Sequence, residues 1–364
     1  MSAAFTIRVL DSIIRIEFDA TLGDDGASAL RSPWVALGAD GRPDATIRVV
    51  IGESEASATG TTIVRATDVD HAAQYLATAL TLEGIRGLRG RALLLHAAAI
   101  AFDDGRVIGF VGPSGRGKTT ASRALAQAAG YVTDETLAVL PDLSVIPYPK
   151  PLSVLSGPPP KRSIDPAGLG MQSLPDSPLR LGALALLERR PDIVEAYVEN
   201  VELSEAIGLI VPETSSLIAM PRPLGDLVDV IQRTGGVRRV IYSEAGQLPA
   251  LLPELLALAT PPREDVEVVT PVAAESPRQD GIYRRAPFHD AVRIGQRLAI
   301  HDGERVVILD GLGPELWESA DGASRADLVA RVTRLDPPPE GVDAGAEVER
   351  RLIALAEAGL LIRD

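Results

Sequence analysis

Leu93-Leu-Leu-His96-Ala-Ala-Ala-Ile-Ala-Phe102-Asp-Asp-Gly105-Arg-Val-Ile-Gly-Phe-Val111-Gly112-Pro113-Ser114-Gly115-Arg116-Gly117-Lys118-Thr119-Thr120 is the stretch on which the fold turns. Two apolar runs, Ala92 to Phe102 and Arg106 to Val111, flank Asp103-Asp104-Gly105, a strong hairpin signal. The second run leads into Gly112 to Thr119, which satisfies G-x-x-x-x-G-K-[ST] at every fixed position. Beyond it, Ala121, Ala124, Leu125 and Ala128 recur at helical spacing, predicting a helix over Thr119 to Ala129 with Gly130 as its C-cap. Strand, glycine-rich loop and helix in that order are what phosphate binding requires. Glycines let successive backbone N–H groups curl around phosphate oxygens, and the helix N-terminus adds positive potential. Lys118 would reach the β and γ phosphates, and Thr119 would offer its hydroxyl to Mg²⁺. Gly112 through Thr120 is therefore the expected nucleotide cradle, with ATP and Mg²⁺ as the expected cofactors.

A phosphate loop alone does not separate kinases from ATPases and GTPases. Asp134-Glu135 follows Lys118 by sixteen residues, past one helix and a turn, so the pair is expected back at the phosphate end. One carboxylate could then hold Mg²⁺ while the other takes a proton from an attacking hydroxyl. The bland alternative is a solvated turn after Gly130.

Working outward, residues 1–88 alternate strand-like runs (Phe5 to Leu10, Ser12 to Phe18, Thr46 to Ile51, Thr61 to Arg65) with turns, followed by a helix near Asp70 to Leu82. They read as a small α+β accessory domain ahead of an α/β P-loop domain over 89–260. Strands are also expected at Leu137 to Leu140 and Leu143 to Ile146. Residues 156–180 hold six prolines and read as a long surface loop, either a lid or a plain excursion. Residues 261–282 lack periodicity and read as a linker. From 283 to 364 three strands (Ala291 to Ile294, Gln296 to Ile300, Arg305 to Leu309) precede three helices (Pro314 to Ser319, Arg325 to Thr333, Ala344 to Ala358), the outline of a winged-helix-like module. Ser324 and Asp327 make a capping pair for the second helix, while Val348, Leu352, Leu355 and Ala356 form an apolar face on the last. Trp317 reads as core.

Composition narrows the function classes. With 36 Lys+Arg against 50 Asp+Glu the net charge is -14, which disfavours wide-area binding to nucleic acid or an anionic membrane. Glu347, Glu349 and Glu357 on the last helix argue against a DNA-docking role for the winged-helix-like module. The absence of cysteine removes disulfides, thiolate nucleophiles and cysteine-ligated metals. The four histidines are too scattered for a metal site. No apolar run approaches the roughly 20 residues of a membrane span, and Met1-Ser-Ala-Ala-Phe lacks a basic lead into an apolar core, so a cytoplasmic location is expected.

The series from Leu93 to His96, the hairpin, Gly112 to Thr120 and Gly130-Tyr-Val-Thr-Asp134-Glu135 resembles the catalytic domain of HPr kinase/phosphorylase and its relatives, including kinases of lasso-peptide gene clusters. That family's fold is related to phosphoenolpyruvate carboxykinase, with an antiparallel strand pair ahead of the P-loop. The resemblance implies that Asp134 is the general base, that Glu135 helps Thr119 hold Mg²⁺, and that His96 lines the site. His96 otherwise reads as a satisfied core residue. Where HPr kinases carry a glutamate-containing motif downstream, this chain has Pro147-Tyr-Pro-Lys150-Pro-Leu-Ser153, which argues against HPr as substrate. Lys150 is expected either to touch the γ-phosphate or acceptor, or to be a solvated lysine between prolines.

Residues 287 to 364, notably Leu309-Asp-Gly-Leu-Gly-Pro-Glu-Leu-Trp317 and Leu352 to Ile362, resemble the PqqD family of precursor-peptide recognition elements. That resemblance implies capture of a leader peptide as an added strand between Arg305 to Leu309 and Ala344 to Ala358. Together the two resemblances imply an ATP-dependent serine/threonine-type kinase whose tail holds a ribosomally made precursor peptide. A nucleotide-regulated peptide chaperone and a small-molecule or free-amino-acid kinase are the rival expectations, and self-association is left open.

Overall fold

The computed structural model describes residues 4–52, 60–113, 117–154, 162–257, 264–269, 271, 280–335 and 343–364. The chain is a mixed α/β protein with several sheets. It divides into two compact units: Met1–Val201 with Glu213–Met220 and Val230–Pro261, and Glu202–Pro212 with Pro221–Asp229 and Pro262–Asp364. Residues 1–88 and the P-loop segment thus belong to the same unit.

In the first unit, β1 (Ala4–Val9) and β2 (Ser12–Phe18) form a hairpin, α1 spans Gly23–Arg31, and β3 (Ala45–Ile51) and β4 (Thr61–Ala66) extend the sheet in parallel from β2. The alternation Ile14, Ile16, Phe18 on β2 and Ile47, Val49 on β3 places buried side chains on one face. That face is covered by α2 (Val69–Leu88), capped at its start by the Asp68 carboxylate accepting from the His71 N–H. Ala72, Leu76, Leu80 and Leu88 of α2 are buried in this core, each leucine contributing about 1.5–3 kcal/mol. The helix runs six residues beyond the predicted Leu82. Gly84, in that extension, sits where a Cβ would come within 2.8 Å of Val9 Cγ1, so it serves close packing against β1.

The larger sheet begins with β5 (Leu93–Ala101) and β6 (Arg106–Val111), the expected antiparallel hairpin. After α3 (Lys118–Leu125) come β7 (Gly130–Thr133), β8 (Thr136–Val139) and β9 (Val145–Ile146), and then the small pair β10 (Leu152–Val154) and β11 (Arg162–Ile164). β12 (Arg180–Arg189) and β13 (Tyr197–Val201) follow; after α4 (Leu203–Ile210), a second-unit helix, come β14 (Thr214–Ser215), α5 (Pro223–Arg233), β15 (Val237–Tyr242) and α6 (Leu252–Ala257). Strand order is β13-β15-β12-β6-β5-β8-β9, with β7 and β14 also pairing β5. β6, β12 and β15 run parallel, so their C-terminal ends share one edge of the sheet. α3 ends at Leu125, short of the predicted Ala129, and Gly130 opens β7 instead of capping the helix. A Cβ on Gly130 would lie 2.6 Å from the Ser173 carbonyl oxygen, so this glycine admits the proline-rich segment. Within that segment Met171 is buried in the core and Gln172 bridges Gly130. Its residues 155–161 lie outside the described ones.

In the second unit, β16 (Val266–Val269), β18 (Asp290–Ile294), β19 (Arg297–His301) and β20 (Val306–Leu309) form one sheet in that order, and β17 (Ile282–Arg285) lies between β21 (Ala323–Ser324) and β22 (Leu361–Arg363) in another. β16 falls in the stretch read as linker; Val266, Val268 and Val269 alternate too briefly for periodicity to register, and partner β18 fixes them. Helices α7 (Gly313–Glu318), α8 (Arg325–Leu335) and α9 (Ala344–Glu357) enclose Trp317, whose indole N–H donates to the Leu360 carbonyl at 3.2 Å. The Ser324 and Asp327 capping pair is present at 2.6 Å, and Val348, Leu352 and Leu355 are buried, but Ala356 is exposed.

Candidate active site

The site is assembled where β6 ends. Gly112 is buried and Pro113 exposed; Ser114, Gly115 and Arg116 lie outside the described residues. Gly117 has φ +92, a left-handed conformation that a side chain would strain, and it turns the chain into α3. Lys118, buried at the start of that helix, donates from Nζ to the Gly112 carbonyl oxygen. Burial holds its pKa below the ordinary lysine range, against the opposing pull of Glu213, Asp134 and Glu135. Thr120 is exposed one position further on.

The acidic pair is delivered by an interruption in one strand. β5 pairs with β7 as far as Thr133 and with β8 from Thr136, so Asp134 and Glu135 form a bulge between two aligned pieces. The Thr133 hydroxyl accepts from the N–H groups of Glu135 at 3.2 Å and Thr136 at 3.3 Å, fixing the kink. The bulge aims Asp134 back at the P-loop helix, where the Thr119 hydroxyl donates to Asp134 Oδ2 at 2.9 Å. A solvated turn is thereby replaced by a carboxylate that is 6% exposed.

Lys150 is 3% exposed, so the solvated alternative does not hold. Its ammonium lies 3.1 Å from Glu135 Oε2 and 3.4 Å from Asp134 Oδ1. Burial opposes its charge, but Asp134, Glu135 and Tyr148 outweigh it and raise the pKa above the usual lysine value. In the extended Pro147-Tyr-Pro-Lys150 segment, residues two apart share a side, and Tyr148 is buried beside Lys150. The Tyr131 hydroxyl, 3.0 Å from Asp134 Oδ1 and 3.2 Å from the Lys150 carbonyl oxygen, closes the cluster from below. Burial, then Asp134, pushes the Tyr131 phenol far above its ordinary pKa, keeping it a neutral donor.

His96, on β5, borders the same cavity with Nδ1 3.5 Å from Glu213 Oε2. Burial first and Lys118 second hold its pKa below the ordinary imidazole range, which favours the neutral ring. The cavity has a volume of about 600 Å³. It brings together Lys118, Thr119, Thr120, Asp134, Glu135 and His96, with Lys150 and Ser153 beside them. Its other wall is α2: Gln74, Ala77 and Thr78 line it, and Thr81 lies 3.3 Å from Glu135 Oε2 and 3.1 Å from the Tyr148 hydroxyl. Sequence reasoning missed this wall and Glu213. Gln74, Thr78 and Thr81 do recur at helical spacing as a polar stripe on α2, which is the only signal available.

Among the described residues no group of three or more His, Cys, Asp or Glu side chains comes together to hold an ion unaided. Mg²⁺ in phosphotransfer sites needs only one or two carboxylates, its shell being completed by substrate phosphates and water. Thr119, Asp134 and Glu135 fit that smaller requirement, the Thr119 to Asp134 hydrogen bond placing a hydroxyl and a carboxylate at one point.

Fold and site define a mixed α/β protein with a P-loop sequence set between a strand and a helix. No family model matches the chain, and no curated protein does. Among solved structures it is similar to the HPr(Ser) kinase/phosphatase from Coxiella burnetii, at 13% identity and a TM-score of 0.25, over 45% of this chain and 93% of that one. Among the described residues no helix is long and apolar enough to cross a membrane.

Proposed function

We propose that this protein is an ATP- and Mg²⁺-dependent phosphotransferase acting on a serine or threonine hydroxyl of a ribosomally made precursor peptide or protein. The observation that carries the reading is the convergence of Lys118, Thr119, Asp134, Glu135 and Lys150 on one cavity at the end of β6. Lys118 and the loop amides hold the β and γ phosphates. When bound, Mg²⁺ offsets the negative charge that builds between the phosphoryl group and the attacking oxygen. Asp134 accepts the proton of the acceptor hydroxyl; the oxygen forms a bond to the γ phosphorus as the β–γ bridging bond breaks, its electron pair leaving with ADP. Lys150 places its ammonium beside both carboxylates, and His96 donates or accepts a hydrogen bond at the cavity edge. The catalytic domain is of the HPr-kinase-like class, and the tail, residues 283–364, is a PqqD-like winged-helix element that seats the leader peptide beside β20.

One observation favours a variant of this assignment. Asp134 already faces Thr119, Tyr131 and Lys150, whereas Glu135 is 37% exposed at its side chain. A hydroxyl and carboxylate so joined suit the metal, leaving Glu135 as the base.

Incubation with a precursor peptide, ATP and Mg²⁺ tests the proposal by mass spectrometry. The peptide gains a phosphoryl group if it holds. Tight peptide and ATP binding without transfer supports the chaperone instead, and transfer to free serine alone supports the small-molecule kinase.

A further inference from the structure

A second cavity, of about 370 Å³, opens on the opposite flank of the P-loop and shares Gly117 and Thr120 with the first. It is lined otherwise by Arg189 and Pro191, just at and beyond the end of β12, and by Tyr242, Glu244 and Ala245, at and beyond the end of β15. β6, β12 and β15 are parallel neighbours, so the P-loop and these two segments leave the sheet at the same edge. In open α/β sheets that edge is where ligands bind. The acidic pair and α2 lie on the β5 side of the P-loop, and the second cavity lies on the β12 side.

Its chemistry differs from that of the first cavity. Tyr242 is 2% exposed, yet its hydroxyl borders the cavity, 3.8 Å from where a Cβ on Gly117 would stand, and has no hydrogen-bond partner among the described residues. A hydroxyl so placed can donate to or accept from a ligand in the cavity. The Arg189 guanidinium donates to the Ser243 carbonyl oxygen at 2.8 Å and to the Glu244 carboxylate at 2.9 Å, and a planar guanidinium can also stack on an aromatic ring. Pro191 and Ala245 supply apolar edges, and Glu244 supplies an acceptor suited to sugar hydroxyls.

We propose that this cavity is the nucleoside subsite. The triphosphate passes over Gly117 and Thr120, the γ-phosphate reaches Asp134 and Glu135 in the first cavity, and the base stacks on Arg189 with Tyr242 hydrogen-bonded to base or ribose. The inference rests on the phosphate-loop reading, and the test separates the two.

Calorimetry on the full chain with Mg²⁺ compares ATP with inorganic tripolyphosphate, which carries the phosphates and no nucleoside. Wild type should bind both, ATP at least tenfold more tightly. Ala245→Trp, which fills the cavity from its rim, should bring ATP down to tripolyphosphate affinity and leave tripolyphosphate within twofold. Tyr242→Phe, which preserves volume and so folding, should weaken ATP alone by several fold. If ATP gains nothing over tripolyphosphate, or both variants bind ATP as wild type does, the nucleoside subsite is elsewhere. If neither ligand binds wild type, the phosphate-loop reading fails and takes this proposal with it.

Discussion

Lys150 Nζ lies 3.1 Å from Glu135 Oε2, joining the Pro147-Tyr-Pro-Lys150 segment to the bulge that carries the acidic pair. Lys150→Met removes the cation and leaves the almost fully buried Asp134 without its charge partner. A loss of about 3–5 kcal/mol in unfolding free energy is expected, measured by urea denaturation, because an uncompensated buried charge costs more than the pair contributes. The pH dependence follows from the sign of the shift. The folded pKa of Lys150 lies above its unfolded value of 10.5, so its contribution is complete below that pH and disappears as pH rises through the folded value. Wild type should therefore lose stability at strongly alkaline pH by a term that Lys150→Met lacks.

The two carboxylates can be told apart kinetically. If Asp134 is the base, Asp134→Asn lowers kcat by at least about a hundredfold with little change in the Mg²⁺ concentration needed for half-maximal rate. Glu135→Gln should then raise that Mg²⁺ requirement. The reverse pattern would assign the metal to Asp134 and the proton to Glu135.

Because α2 supplies one wall of the phosphate cavity, Gln74→Ala and Thr78→Ala should raise KM for the phosphate acceptor and leave KM for ATP unchanged. Steady-state kinetics with either substrate varied reads this directly. An equal rise in both constants would mean that α2 only supports the fold.

Truncation is a poor test of the tail. Asp290 Oδ2 accepts from the N–H groups of Leu224 at 2.8 Å and Gly225 at 3.2 Å, and α4 packs on β20 through Gly208 and Ile308, so removing 283–364 strips packing from residues 202–212 and 221–229 of the same unit. A leader peptide added in trans to the intact chain is cleaner. It should inhibit phosphorylation of the full precursor competitively and leave phosphorylation of a leaderless acceptor untouched.

Much of the site was legible because its parts are local. The hairpin, the loop and the start of α3 are coded within 28 contiguous residues, Leu93 to Thr120, and the return of Asp134-Glu135 follows from one helix length. What escaped depends on non-local contact. Lys150 stays open between an active-site and a solvated lysine until Tyr148 and the bulge enclose it, and Glu213 reaches His96 only because β14 pairs with β5. The accessory reading of 1–88 gave no hint that α2 would line the cavity, since Thr81 and Glu135 are 54 residues apart. Gly130 misled for the same reason: it answers a neighbour distant in sequence, Ser173, and not a helix end.

The central claim is phosphoryl transfer, and γ-labelled ATP tests it most directly. With precursor peptide and Mg²⁺, label should accumulate covalently on a serine or threonine of the peptide in step with ADP, and Lys118→Ala should abolish both. ADP without labelled peptide, or labelled peptide undiminished in Lys118→Ala, would contradict it.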